Sequence, residues 1–365
     1  MAIAGGHIKL DSMEGMDKVT QTERVTSPYF SDGTSILSAP HSASNLTATN
    51  KKYFFGIAGS GTTTTEEFNV AFGSTNGYGA NVEATTKSET AVIYGQYANL
   101  LLAPNEVTGG FHISSPASDS VVTSGKDEEI FVMSARRSNM KDRLNKGTWT
   151  VHFSGSVDDL TGKILELTDD SQTTEATATP VGDRYNIISG AAGTAYSADS
   201  SSAAKNYGFF YPDMGIMVFS AAELSASVPG GQSIVPTATV FKSGSQMGFG
   251  YLKNTTVDSN PGLLFVNALS TSPASLTFRD EEDQVSAQYF CRVKSGQMNF
   301  SNNPTFVSGS LNELRHKTMK GNPTVFITSV QLYNDAGHMV AVGNLSTPLK
   351  KNFSSEATIK VKLTY

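Results

Sequence analysis

Apolar and polar side chains alternate strictly through the last nine residues of the chain. Between residues 357 and 365 the odd-numbered positions are apolar, and the even-numbered positions are threonine or lysine. This two-residue period is typical of a half-buried β-strand, because successive side chains of a strand point to opposite faces of the sheet. The same alternation over 148–154 predicts a strand whose tryptophan, Trp149, faces the core. Both patterns indicate a mainly β protein.

Turn-forming residues divide other apolar runs into short strands. A Pro-Asp-Met-Gly sequence at 212–215 predicts a tight reversal. An Asn-Asp-Ala-Gly sequence at 334–337 predicts a hairpin loop with Gly337 in the left-handed conformation. Reversals this short join antiparallel neighbours. The strands predicted in this way are 52–58, 129–133, 183–188, 207–211, 216–219, 274–278, 284–294, 297–300, 324–333 and 338–345.

Two segments carry helical signals. Apolar residues recur at helical spacing between 88 and 102, where Ser88 is a candidate cap and Pro104 prevents continuation. Residues 138–144 are long enough for two further turns. The expected fold class is therefore mainly β with a minor α+β component. It consists of antiparallel β-sandwich-like units, one or two short helices and an extended N-terminal arm.

The chain of 365 residues exceeds the usual size of a single domain, so we predict three parts. Residues 1–50 are rich in Ser, Thr, Gly and Asn, which indicates an arm that gains order on a neighbour. Residues 51–225 form a mixed β domain, which contains the helix near 88–102 and surface loops at 168–206, namely 168–180 and 189–206. Residues 226–365 form a C-terminal antiparallel β domain.

Charge and hydropathy exclude several classes of partner. Only 16% of residues are charged and the formal net charge is −6, so no basic surface for nucleic acid is expected. No run approaches the roughly 20 apolar residues that span a bilayer, and no secretory signal pattern begins the sequence. We therefore expect synthesis in a cytoplasm without membrane insertion. A surface of uncharged polar residues suits packing between subunits, since its burial carries no charge-desolvation cost.

No motif predicts catalysis, a cofactor or a metal. The sequence lacks a nucleophile elbow and a phosphate-binding loop, and its six histidines have no paired spacing. The single cysteine, Cys291, is expected to be a small core residue on the strand at 284–294. We therefore predict that the protein is not an enzyme. No catalytic, cofactor-binding or metal-binding residue is assigned.

Adjacent acidic residues are the one feature that could supply chemistry. A glycosidase needs two carboxylates across the scissile bond. Each acidic group here falls in a predicted turn or at a strand end, where we expect it to be solvated. The groups are 128–129, 158–159, 169–170 and 280–283.

Three stretches resemble a known family as a set. They are 135–149, 207–216, and 322–337 with its continuation to 365. Together they resemble virion structural proteins of cyanophage-like contractile-tailed phages, particularly those of the baseplate. The resemblance implies a tail or baseplate protein of the virion, made in the cytoplasm of a bacterial host. Its partners would be other tail or baseplate proteins and copies of itself, and no functional residue is transferred.

Three functions remain open at this point. The preferred one is an assembly subunit that holds its neighbours through sheet edges, the arm and uncharged loops. The second is a host-receptor or glycan-binding module of the virion, with recognition loops at 59–66, 168–180 and 189–206. The third is a tail-associated glycosidase.

Overall fold

The structure, a computed structural model, is mainly β with antiparallel sheets, as the sequence predicts. It describes residues 17–37, 41–42, 53–58, 65–77, 87–104, 110–113, 126–154, 164–196, 206–221, 223–224, 262, 265–266, 269, 276–308 and 313–365. Its first eleven strands are β1 (Lys18–Pro28), β2 (Ile36–Leu37), β3 (His41–Ser42), β4 (Phe54–Ala58), β5 (Glu66–Ser74), β6 (Glu129–Ala135), β7 (Arg143–Leu144), β8 (Thr150–Ser154), β9 (Ile164–Asp169), β10 (Thr177–Thr179) and β11 (Gly182–Ala191).

The remaining elements continue the same pattern of short and medium strands. Helix α1 (Glu89–Leu101) lies between β5 and β6, and a 3-10 turn (Lys317–Met319) precedes the final hairpin. The other strands are β12 (Thr194–Ala195), β13 (Asn206–Tyr211), β14 (Ile216–Ser220), β15 (Leu276–Thr277), β16 (Arg279–Val293), β17 (Val307–Ser308), β18 (Glu313–Leu314), β19 (Val325–Tyr333), β20 (Met339–Lys351) and β21 (Ala357–Thr364).

The chain forms two compact units. The large unit is Val25–Glu282, and the small unit combines Met1–Arg24 with Asp283–Tyr365. The predicted boundary at 225–226 lies outside the described residues. Within the predicted arm the structure places strand β1, which the sequence analysis did not find, and it pairs with β16.

The large unit is organised around one antiparallel sheet. Among the described residues its strand order is β2-β15-β8-β9-β11-β13-β14-β6-β5-β4-β3, and β10 and β12 both pair with β11. Alternate residues of β6 enter two different hydrophobic clusters: Phe131 and Met133 join one, Ile130 and Val132 the other. Because both faces of the central strands are covered, their sequences are continuously apolar.

Aromatic rings fill the larger of the two clusters. Trp149 is fully buried, as predicted, and stacks on Phe278 with ring centroids 5.6 Å apart. Phe210 packs edge-on against Trp149 at 5.3 Å. Offset and edge-to-face pairs add to the stabilisation that area burial provides, by about 0.5–1.5 kcal/mol each.

Helix α1 covers the other face of the sheet and confirms the helix predicted at 88–102. Tyr94, Tyr97 and Leu101 are buried against the sheet cluster that contains Val132. Ser88 occupies the N-cap position with an extended backbone, but its side chain makes no capping hydrogen bond. Packing of one face therefore stabilises this helix more than its cap does.

The prediction of a second helix at 138–144 is wrong. Residues 138–144 form a turn, in which the N–H groups of Asn139 and Met140 donate to the Arg136 carbonyl, followed by strand β7. Part of the predicted loop region is also wrong, since β10, β12 and the end of β11 lie within 168–206. The predicted strand at 297–300 does not form: the Gln297 N–H closes a turn onto the Lys294 carbonyl, and no strand follows it there. Residues 279–283, predicted as a turn, are the start of β16.

The small unit contains the predicted C-terminal strand and the predicted hairpin. Strand β21 pairs with β16 from Ser286 opposite Thr364 to Val293 opposite Ala357. Strands β19 and β20 form a two-stranded sheet whose loop holds Gly337 at φ 82°. Both predictions are confirmed because local alternation and turn chemistry specify them.

Candidate functional site: a polar groove and an exposed hairpin

Buried carboxylates hold residues 141–149, which we call the anchored loop. Asp280 and Glu281 begin strand β16 and are almost completely buried; the exposed fraction of Glu281 is 2%. The donors are the backbone N–H of Lys141 to Asp280 (2.8 Å), Nε of Arg143 to Glu281 (2.6 Å) and Nδ2 of Asn145 to Glu281 (2.5 Å). Charge-assisted bonds of this kind are roughly twice as strong as neutral ones.

A second acidic pair, Asp169 and Asp170, fixes the other end of the anchored loop. Both oxygens of Asp169 accept the backbone N–H of Gly147 at 2.9 Å. Gly147 has φ 70°, a conformation that other residues rarely adopt. Asp170 accepts the backbone N–H of Asn186 at 3.0 Å and its side-chain amide at 2.8 Å. These carboxylates connect the loop to strands β9 and β11.

The expectation that the acidic residues at 169–170 and 280–281 are solvated is therefore wrong. Burial raises the pKa of Asp169 and the pKa of Asp280, while main-chain N–H donors act in the opposite direction. Protein donors occupy their oxygens, which gives them a structural role in this loop. Residues 158–159 lie outside the described residues.

The acidic pair at 128–129 is divided between solvent and the protein. Glu128 is exposed and accepts a hydrogen bond from the side-chain amide of Asn76 at 2.9 Å. Glu129 is largely buried at the start of β6, and burial, with a smaller contribution from the Glu128 charge, raises the pKa of Glu129 to about 7. The folded state therefore binds a proton that the unfolded chain releases near pH 4.5.

Glu129→Gln is expected to make stability less dependent on pH. The wild-type protein loses stability as the pH rises from about 4.5 to about 7, because only the unfolded state is deprotonated in that window. Glutamine removes this loss, so the variant gains about 1–3 kcal/mol relative to wild type above pH 7. Urea unfolding at pH 5 and pH 8 measures the difference. Glu128→Gln is the control, and an equal gain in that variant would contradict the assignment.

A shallow polar groove of about 390 Å³ lies where the anchored loop meets the turn after β9. Its volume is at the lower end of the range for small-ligand sites. Most of its walls belong to the predicted recognition loop 168–180. The lining residues are Lys146, Ser171, Gln172, Thr173, Thr174, Glu175, Ala176 and Tyr185.

Contacts between distant segments build this groove. The Lys146 ammonium lies 4.8 Å from the centroid of the Tyr185 ring and donates to the Tyr185 hydroxyl. The amide of Gln172 donates to the Gly147 carbonyl at 3.0 Å and to the Ala192 carbonyl at 3.1 Å. Sequence analysis missed Lys146 and Tyr185, because these two residues are 39 positions apart along the chain and only the fold brings them together.

The hairpin β19–β20 exposes large apolar side chains. The exposed fractions are 60% for Phe326, 55% for Met339, 61% for Val340 and 58% for Val342. The hairpin sequence carries few charges, at Asp335, Lys350 and Lys351. Several large apolar side chains of one hairpin are therefore exposed to solvent.

Apolar residues occupy both faces of the hairpin. Directly opposed residues share a face, and the pairs Ile327–Leu349 and Tyr333–Met339 alternate with Leu332–Ala341 and Phe326–Lys350. A two-stranded ribbon is marginally stable in water on its own. Burial against a further protein surface would therefore stabilise it.

Titratable and metal-ligating groups do not form another centre among the described residues. No cluster of three or more His, Cys, Asp or Glu side chains suited to a metal ion occurs there. His152 pairs with Glu166 at 3.0 Å. Cys291 is half-buried, which is less than the core position expected, and burial raises the pKa of its thiol. None of the described helices is both long and apolar enough to cross a membrane.

We compared the chain with known proteins by sequence and by structure. No protein-family model, curated protein or solved structure matches the chain.

Proposed function

We propose that this protein is a structural assembly subunit of a phage tail or baseplate. The observation that carries the proposal is the hairpin β19–β20, whose apolar side chains are exposed on both faces. The low charged fraction of 16% supports it, because contacts between uncharged surfaces avoid the desolvation of charges. The type of assembly, a phage tail or baseplate, is inferred from the resemblance to baseplate proteins of residues 135–149, 207–216 and 322–365.

The mechanism of such a subunit is mechanical. The sheets hold a fixed shape, and the hairpin attaches that shape to neighbouring subunits through apolar contacts. Hydrophobic burial of about 25 cal/mol per Å² makes an exposed valine or phenylalanine on this ribbon a strong contributor to association. Partners in the particle would be other tail or baseplate proteins and further copies of the chain.

Mass spectrometry of purified particles from the phage that encodes the chain tests this function. The protein is expected in intact particles and in isolated tails, and its absence from both would refute the proposal. Val342→Ser in the same phage is expected to reduce incorporation at least tenfold, since it removes an apolar contact on the hairpin. The control is Val92→Ser on α1, where the valine is 61% exposed. Equal incorporation of the two variants would exclude the hairpin as the attachment surface.

The groove supports a second candidate function, the binding of a surface glycan of the host. Its lining combines an ammonium, a carboxylate, an amide and four hydroxyls, which suit the hydroxyl groups of a saccharide. The turn that forms it belongs to the loop predicted for recognition.

Lys146→Met is expected to weaken binding to isolated host surface polysaccharide about tenfold, a loss of about 1.4 kcal/mol. Calorimetry with the purified polysaccharide measures it. Lys141→Met is the control, because the Lys141 ammonium pairs with Glu282 at 2.9 Å and does not line the groove. No detectable binding by the wild-type protein would eliminate this candidate.

A further inference from the structure

Strand β19 has an edge without the usual protection against pairing. In the part of the chain that the structure describes, β19 pairs with β20 on one side and with no other strand. Its nine residues, VFITSVQLY, contain no charge and no proline. Natural edge strands are usually short, charged, bulged or interrupted by proline, because bare backbone N–H and C=O groups invite another strand.

The other strand of the hairpin does carry such protection. Strand β20 contains Pro348, which lacks a backbone N–H donor, and the charged residue Lys350 close behind it. Its register with β19 is also interrupted between the pairs Ile327–Leu349 and Ser329–Asn344. Of the two edges of this ribbon, both unpaired among the described residues, the β19 edge is therefore the less protected.

We propose that β19 pairs antiparallel with β19 of a second copy of this chain across a twofold axis. The inference rests on the proposed assembly function and names the partner and the contact. Antiparallel pairing of a strand with itself is self-complementary, as a twofold interface requires. Two hairpins then form one four-stranded sheet, which exceeds the marginal size of an isolated ribbon.

The residues of β19 suit one particular register. With the axis at Ser329, the midpoint of the strand, Phe326 lies opposite Leu332 of the partner subunit. Thr328 then lies opposite Val330 of the partner subunit. No charged side chain meets its own copy in this arrangement. Aromatic–aliphatic cross-strand pairs stabilise a sheet by roughly 0.2–1 kcal/mol each, and the faces of the new sheet remain available to other subunits.

Disulfide trapping in the full chain tests the register. In a Cys291→Ser background, Ser329→Cys is expected to form a covalent dimer under mild oxidation, because the two cysteines face each other at the axis. Asn334→Cys at the hairpin tip is the control, since the two tips lie roughly 33 Å apart in an antiparallel pair. Cross-linking of the tip without cross-linking of Ser329→Cys would overturn the proposal.

A charge on the edge tests the pairing itself. Thr328→Lys is expected to raise the dimer dissociation constant at least tenfold in sedimentation equilibrium, because two ammonium groups then flank the axis. Thr347→Lys, an equally exposed position on β20, is expected to leave it unchanged. If the wild-type protein is a monomer at about 100 µM, the inference is overturned. The assembly function is tested separately, by the presence of the protein in particles. A dimer insensitive to Thr328→Lys also overturns it and leaves the assembly function standing.

Discussion

Replacing Glu281 by alanine is expected to lower the free energy of unfolding of the large unit by about 3–5 kcal/mol. The carboxylate is buried and accepts hydrogen bonds from Arg143 at 2.6 Å and from Asn145 at 2.5 Å. Alanine would leave the Asn145 amide without this acceptor, and the partly buried Arg143 guanidinium would keep the more distant Asp213 carboxylate, at 4.0 Å, as an ion-pair partner. Removing one partner of a buried charged pair costs more than the pair contributes, because the other partner stays desolvated.

Two further variants separate charge from shape at this site. Glu281→Gln keeps the length of the side chain and one acceptor oxygen, so about 1–2 kcal/mol of destabilisation is expected. Glu282→Gln is the neighbouring control, because the ion pair of Glu282 with Lys141 is partly exposed and contributes less than about 1 kcal/mol. Urea unfolding at neutral pH measures all three. Equal losses for Glu281→Ala and Glu282→Gln would show that the buried contacts do not stabilise the loop.

The same contacts explain why sequence analysis misjudged this region. The partners of Glu281 and Asp280 are about 140 residues distant, so no local pattern reveals them. Taken alone, residues 138–144 have a helical length and composition, and residues 280–283 look like a charged turn. Tertiary hydrogen bonds to buried carboxylates override both local tendencies.

Elements whose structure is determined by residues close to one another in sequence were predicted well. Helix α1 begins and ends within one residue of the predicted range, and the hairpin loop at 334–337 has Gly337 at the expected positive φ. Strand β1 was missed because its side chains are mostly polar and exposed, and backbone pairing with β16 defines it. Apolar and polar residues alternate in a strand when one of its faces is buried. A strand that is exposed on both faces shows no such alternation, so the sequence does not reveal it.

The groove could be predicted only in part for the same reason. Its turn lies in a loop that the sequence marks as polar, but the lysine and the tyrosine come from the anchored loop and from β11. The hairpin surface was different, because its strands were predicted while its exposure was not. The sequence of a strand can indicate that it has apolar side chains to bury. Only the fold shows that no described element covers those side chains in this hairpin.

Lys351→Met is expected to destabilise the base of the hairpin by about 2–4 kcal/mol. Lys351 is fully buried, and its ammonium donates to Asn299 Oδ1 at 2.8 Å, to the Asn352 carbonyl at 2.9 Å and to the Ser295 carbonyl at 3.0 Å. All three ammonium donors are thereby satisfied by neutral oxygens. Methionine has a similar length and no donor, so Asn299 Oδ1 would lose the ammonium donor. The Ser295 and Asn352 carbonyls would keep only their bonds from Asn299 and Ser355.

Hydrogen exchange of the small unit measures this effect, with Lys350→Met as the matched control. Lys350 is adjacent in sequence and exposed, so its replacement is expected to change protection by less than about 0.5 kcal/mol. Amides of β19 and β20 should exchange much faster in Lys351→Met because the last residue of β20 loses its anchor. Equal protection in the two variants would mean that water replaces the ammonium without cost. In that case the hairpin would be held at its base by backbone pairing alone.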